Sequence, residues 1–238
     1  KSAFPKIPFF ITEWGPSYSP RDPIHDSYVC APFILEKVRQ CERVVDGISY
    51  WAFSDQFEEP GPPNEPFHGG FGFMNVDGLK KPAFFAYSFL ARLHKDEVPT
   101  ENDRLIVTKK GDSFRILAWD YSPPKQDVPN WPFYHRDLPA QDLAPLSFTL
   151  TGLEPGQYEI SLVGTGYLRN DVYGEYIKLG KPAGSKAHLD ESTLVKLRKA
   201  SDGKAKKSKV EVGASGELVM SAPMRTNDTW LIEVKKVG

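Results

Sequence analysis

Apolar and polar positions divide the chain into two differently patterned parts. From Ile7 to Glu13 the run Ile-Pro-Phe-Phe-Ile-Thr-Glu is almost continuously apolar and ends in a carboxylate, as expected of a parallel strand covered on both faces. After a Pro- and Ser-rich loop from Trp14 to Pro23, Tyr28, Ala31, Leu35 and Val38 recur at helical spacing, with Asp26 or Ser27 as the expected cap. Pro32 implies that this helix bends or that its regular part begins near Ala31. A second β-like run, Gly47 to Phe53, leads into a long Pro- and Gly-rich loop from Ser54 to Gly78. Pro82 then opens a helix carrying Phe85, Phe89 and Leu93 on one side and ending near Lys95. The order strand, helix, strand, helix, with long loops after the strands, is that of the closing units of a (β/α)8 barrel; two units alone also fit a small doubly wound sheet.

Beyond about Thr100 the pattern changes to short alternating strands at Leu105–Thr108, Phe114–Trp119, Leu146–Leu150, Tyr158–Val163, Glu217–Ser221 and Trp230–Val234. Turn signals such as Lys110-Gly111-Asp112 and Glu154-Pro155-Gly156 separate them, and one helix is expected from Asp190 to Lys199. The expected fold class is therefore α/β plus all-β: barrel units over residues 1–98, then an antiparallel β-sandwich over residues 99–238.

Composition narrows the function classes. With 238 residues, 40% hydrophobic and 26% charged, and a formal net charge of −1, the chain reads as an ordinary globular protein. Nucleic acid is not expected as a partner, because phosphate binding needs a clustered basic face. The dense cluster Lys204, Lys206, Lys207 and Lys209, beside Gly203, reads as a solvated turn. No stretch is long and apolar enough to span a membrane. Cys30 and Cys41, eleven apart on one expected helix, would lie about 16 Å apart, beyond the roughly 7 Å reach of a disulfide. Residue 1 opens almost directly into a strand, so the true N-terminus is expected to lie elsewhere, and localisation stays open between cytoplasm and periplasm. No metal or other cofactor is expected, since no His/Cys/Asp cluster has ligand spacing.

Two strand ends carry the candidate chemistry. Glu13 closes the first strand, where a carboxylate is either merely solvated or catalytic. Trp51, Asp55, Glu58 and Glu59 follow the second. In a barrel these groups are neighbours: carboxylates accept hydrogen bonds from sugar hydroxyls and an indole packs on a ring's C–H face. The bland alternative for the second group is an acidic surface loop. In Pro66-Phe67-His68-Gly69-Gly70-Phe71-Gly72 the glycines permit tight packing, and His68 reads as structural.

The ordered motifs Ile11-Thr12-Glu13-Trp14, Ser17-Tyr18-Ser19, Ser49-Tyr50-Trp51, Phe53-Ser54-Asp55, Phe57-Glu58-Glu59 and Pro66 to Gly72 resemble glycoside hydrolase family 39, in its bacterial β-xylosidase branch. The likeness continues through Lys81-Pro82, Gly164-Thr165-Gly166-Tyr167, Asn170-Asp171 and Asn227-Asp228-Thr229-Trp230. It implies a (β/α)8 barrel with an appended β-sandwich, with Glu13 as the nucleophile of a retaining exo-glycosidase. It also implies that Trp51, Glu58 and Glu59 are sugar-binding residues, and that Trp51–Ala52 is a candidate cis peptide. The substrate implied is a glycoside or xylo-oligosaccharide. The chain departs from the family pattern at Gly15-Pro16, where Asn usually follows the Trp. Retaining hydrolysis also needs a second carboxyl group. The family carries it in an Asn-Glu pair on the fourth barrel strand, and no strand read here holds such a pair. The acid/base Glu is therefore expected in an N-terminal part outside this sequence, a partner without which the chain is inactive. Two alternatives stand beside this reading. One is a related α-L-iduronidase or arabinosidase, although Arg21 is the one basic residue in the matched loops. The other is a non-catalytic carbohydrate-binding or scaffolding protein.

Overall fold

The computed structural model describes residues 7–56, 60–182 and 187–237. β1 (Phe10–Trp14) and β2 (Gly47–Tyr50) pair in parallel, with Phe10 opposite Gly47 and Trp14 opposite Tyr50. α1 (Cys30–Cys41) joins them and α2 (Pro82–Arg92) follows the long loop after β2. The two helices pack against each other, and Ile34, Leu35, Phe85 and Phe89 are buried in one cluster with Tyr50 of β2. Ile7, Phe9 and Phe10 stay 60%, 53% and 59% exposed, and since the consecutive Phe9 and Phe10 point to opposite faces, the start of the apolar run lacks the expected cover on both.

The entry to α1 differs from the expected cap. A single 3₁₀ turn, Pro23–His25, comes first, and it is Asp22 whose side chain accepts the Ile24 N–H at 3.1 Å. Val29 occupies the cap position of α1 and offers no side-chain bond. Pro32 falls in the first helical turn, where backbone N–H groups have no intrahelical acceptor, so the helix runs without the penalty of an internal proline. Asp26, read as a cap, is fully buried and bonded elsewhere.

The rest of the chain forms two antiparallel sheets. β3 (Asp96–Val98), β4 (Leu105–Lys110), β5 (Ser113–Trp119), β7 (Gly156–Thr165), β8 (Lys206–Val212) and β10 (Thr229–Lys236) assemble in the order β3-β4-β5-β10-β7-β8. β6 (Asp142–Leu150) pairs with β9 (Leu218–Arg225). Alternation on β9 turns Leu218, Met220, Ala222 and Met224 toward the larger sheet, where they meet Ile116, Tyr158 and Ile232. The central strand β10 is apolar on both sides. Trp230, Ile232 and Val234 enter that core, while Leu231 joins Leu117 and Val163 against α1 and α2. One sheet thus serves two cores and ties the parallel units to the antiparallel ones.

The lysine cluster is not a turn. Lys206, Lys207 and Lys209 lie on β8, the outer strand of the larger sheet, where Val210 packs against the core and Val212 is buried in it. Lysines on an open edge oppose pairing with another chain, which is why a strand can carry so polar a sequence. Three short elements also escape a periodicity reading: β3, α3 (Asn130–Tyr134) and α4 (Val172–Lys178). The expected late helix is α5 (Glu191–Ala200), capped by Asp190. Cys30 and Cys41 are free thiols.

Asp171 caps α4 by accepting the Gly174 N–H at 3.0 Å and the Leu168 N–H at 3.2 Å. Burial pushes its carboxyl up from 3.8 to about 7, against the lowering effect of those two bonds. The unfolded chain therefore releases this proton at lower pH than the folded chain does. The stability that the site contributes is full below pH 3.8 and is lost as pH rises to about 7. Urea midpoints measured from pH 4 to pH 8 should show this decline, and Asp171→Asn should flatten it; equal slopes in both proteins would exclude the residue as its source.

Candidate active site

The ends of the two parallel strands are joined directly, since the Trp51 N–H donates to the Trp14 carbonyl at 3.0 Å. Trp14 and Tyr50 turn inward and meet edge to face, with centroids 5.7 Å apart, and Tyr50 stacks on Phe73 at 4.8 Å. Successive strand side chains point in opposite directions, so Glu13 and Trp51 leave the sheet on the side away from this aromatic cluster. Glu13 is exposed and Trp51 is 36% exposed. Both lie at the same end of the paired strands, β1 and β2; Glu58 and Glu59 lie outside the described residues. The Trp51–Ala52 peptide is cis.

Beneath the strand ends is a buried charge network. The Lys81 ammonium lies 2.6 Å from Asp26 Oδ1 and 2.6 Å from Asp55 Oδ2, and donates to the Gly70 carbonyl at 2.9 Å. All three charged side chains are 0% exposed. The second carboxylate oxygens accept backbone N–H groups, Gly69 to Asp26 Oδ2 and Gly72 to Asp55 Oδ1, each at 2.7 Å. Burial pushes the Asp55 carboxyl up, opposed by the Lys81 charge and reinforced by Asp26. Burial also pulls Lys81 down, but the two carboxylates outweigh it and hold the ammonium above its usual range. Asp55 is therefore an anchor and not a group available to a sugar hydroxyl, which corrects its assignment to the exposed acidic cluster. Lys81 and Asp26 carry no local signal of this role beyond the Lys-Pro step into α2.

The anchored loop reaches the strand ends through its backbone. Ala52 N–H donates to the Phe71 carbonyl, and Phe73 N–H to the Ala52 carbonyl, both at 3.0 Å. Gly69, at φ +75°, has no room for a Cβ, which would stand 2.5 Å from the Asp22 carbonyl carbon. A Cβ on Gly72 would stand 2.3 Å from the Ser54 carbonyl carbon. Buried His25 sets its ring nitrogens 2.8 Å from the Gly69 carbonyl oxygen and 3.0 Å from that of Ser17, linking the loop to the segment after β1. His68 is buried, with Nδ1 3.2 Å from the Glu65 carbonyl oxygen. Asn64-Glu65, an Asn-Glu dipeptide, belongs to this loop region and to no strand.

Among the described residues no group of His, Cys, Asp and Glu could hold a metal ion, and no helix is long and apolar enough to cross a membrane. A cavity of about 310 Å³ lined by Cys41, Gly47 and His94 opens at the start of β2, the opposite end from Glu13.

The family model "Glycosyl hydrolases family 39" matches residues 1–218. A β-xylosidase of Geobacillus stearothermophilus is 36% identical over 120 residues, covering 50% of this chain and 24% of that protein. The GH39 enzyme from Xanthomonas axonopodis pv. citri superposes with a TM-score of 0.93 at 43% identity, over 98% of this chain and 46% of that one. A monomeric β-xylosidase from Caulobacter crescentus CB15 gives a TM-score of 0.93 and 43% identity over 99% and 47%. The chain thus spans about half the length of these solved relatives.

Removing the buried cation should be severe. Lys81→Met leaves two carboxylates facing each other without solvent, at an expected cost of about 3–5 kcal/mol in chemical denaturation. Neutralising Asp55 in the same protein with Asp55→Asn should recover part of the loss. A change below about 1 kcal/mol in Lys81→Met would show that the network contributes nothing of note.

Proposed function

We propose that this chain, which belongs to glycosyl hydrolases family 39, carries the nucleophile-bearing part of a retaining exo-glycosidase that releases xylose from xylo-oligosaccharides. Glu13 attacks the anomeric carbon and forms the glycosyl-enzyme ester. Trp51 packs on the sugar's C–H face, and Glu58 and Glu59 accept hydrogen bonds from its hydroxyls. A second carboxyl group, about 5 Å from the nucleophile, protonates the leaving oxygen and then activates water. It comes from residues outside this sequence, in keeping with relatives about twice as long. In this reading residues 1–98 are closing units of a (β/α)8 barrel and residues 99–238 are an appended β-sandwich.

The observation that supports the assignment is the bond between the strand ends, Trp51 N–H to Trp14 carbonyl at 3.0 Å, in a parallel register. It supports the reading because Glu13 and Trp51 then belong to the C-terminal ends of adjacent parallel strands, the end at which barrel enzymes assemble their chemistry. The bacterial β-xylosidases among the relatives favour a pentoside as substrate.

In the intact parent protein, Glu13→Gln should lower kcat/KM on an aryl β-xyloside by about 10³-fold or more, some 4 kcal/mol of transition-state stabilisation. Undiminished turnover would remove Glu13 from its role. Trp51→Ala should chiefly raise KM, by about 10-fold for the loss of one aromatic contact of about 1.4 kcal/mol; a KM within twofold of the unaltered enzyme would take the indole out of the sugar site.

A further inference from the structure

Several motifs that stand out in the sequence have no part in the strand-end site: Gly164-Thr165-Gly166-Tyr167, Asn170 and Asn227-Asp228-Thr229-Trp230. Of these residues Gly164, Tyr167, Asn170 and Trp230 line a cleft of about 380 Å³. A Cβ on Gly164 would stand 2.5 Å from the Trp230 ring, and one on Gly166 would stand 2.0 Å from Asp228 Oδ1, so both glycines exist to admit those side chains. Asp228, 0% exposed, accepts from Arg225 through Nε and Nη2, each at 3.1 Å, and lies 2.9 Å from Arg169 Nη1. The Tyr167 carbonyl accepts a further Arg225 N–H at 2.9 Å. Arg169, so held, stacks over Trp230 with its guanidinium carbon 4.2 Å from the ring centroid.

The wall carries four cations, Arg169, Arg225, Lys204 and Lys206, against two paired carboxylates, Asp228 and Asp202. A chain with a formal net charge of −1 thus concentrates positive charge at one cleft, next to the apolar side chain of Leu162. Arg225 spends Nε and Nη2 on Asp228 and the Tyr167 carbonyl, so the cations that meet a second carboxylate are the Arg169 guanidinium held over Trp230 and the Lys204 and Lys206 ammoniums, and the apolar side chains beside them suit the C–H face of a ring.

We propose that this cleft binds the carboxylate of an acidic saccharide, such as a uronic acid side group on an oligosaccharide. That the carboxylate is borne by a saccharide rests on the hydrolase reading above; the cationic cleft does not. Calorimetric titration of the chain at fixed ionic strength tests it with three probes: a glucuronic-acid-substituted xylo-oligosaccharide, its unsubstituted counterpart and sodium acetate. The acidic oligosaccharide should bind at least about tenfold more tightly than either of the others, the size of one charge-assisted contact. The exposed pair of changes Lys204→Glu and Lys206→Glu should abolish that preference while leaving the melting temperature unchanged, and Glu13→Gln should leave it intact. Equal affinity for the substituted and unsubstituted sugars overturns the proposal, as does binding that survives the charge reversal. Acetate as tight as the acidic sugar reduces the cleft to a plain anion site and rejects the saccharide. Loss of the preference in Glu13→Gln assigns the binding to the strand ends and likewise overturns it. The aryl xyloside assay of the intact parent reports on the hydrolase reading separately.

Discussion

The ion triad of Lys81 with Asp26 and Asp55 is the constraint on which the strand-end architecture depends. An ammonium has three protons, and here two meet carboxylates and one meets the Gly70 carbonyl, so the buried charge is saturated. The three members of the triad come from the segment before α1, the loop after β2 and the residue before α2. One interaction therefore sets the mutual placement of three segments that share little regular secondary structure. Replacing such a triad by apolar residues is often neutral or even stabilising, so stability alone is a weak account of its presence. What the triad does supply here is position: the backbone of Gly69 to Gly72 is bonded to both carboxylates, and Phe71 in turn holds Ala52, the neighbour of Trp51.

A second constraint is the larger sheet, apolar on both faces. Leu117, Val163 and Leu231 look toward α1 and α2, while Ile116 and Ile232 look toward β6 and β9. The parallel units have few strands of their own and rest on this sheet for much of their core. The exposed edge side of β1, with Ile7, Phe9 and Phe10, is the part of the molecule that this support does not reach.

How much of this was legible in the sequence depended on whether the signal was periodic. The apolar runs of β1 and β2 and the helical spacing of Phe85 and Phe89 gave the order of elements, and alternation gave most of the antiparallel strands. Glu13 stood out because it closes such a run, and Trp51 because it lies near the end of the next. β8 was hidden because its solvent-facing positions are lysines, which read as a turn until the buried Val212 on the same strand is seen. α3 and α4 span 5 and 7 residues, too short for a helical repeat to show. The triad was illegible for another reason: residues 26, 55 and 81 follow no spacing rule, and a lone Lys or Asp in a polar segment looks solvated. Asp55 was misread for this reason, since its chemistry suits a sugar hydroxyl and only burial shows that it is already engaged.

The glycines of this molecule are constrained in two different ways, by crowding in the loop and by backbone angle elsewhere. At positions 69, 70 and 72 any larger residue meets the backbone of Asp22 or Ser54 or the side chain of Asp55 within 2.6 Å, whereas Gly61, Gly78 and Gly111 have nothing within 4 Å of an added carbon and are held to glycine by their positive φ angles of 97°, 72° and 56°. The floor beneath the strand ends is thereby set by contacts of glycine backbone, so that adding a side chain there requires the segment it meets to shift with it.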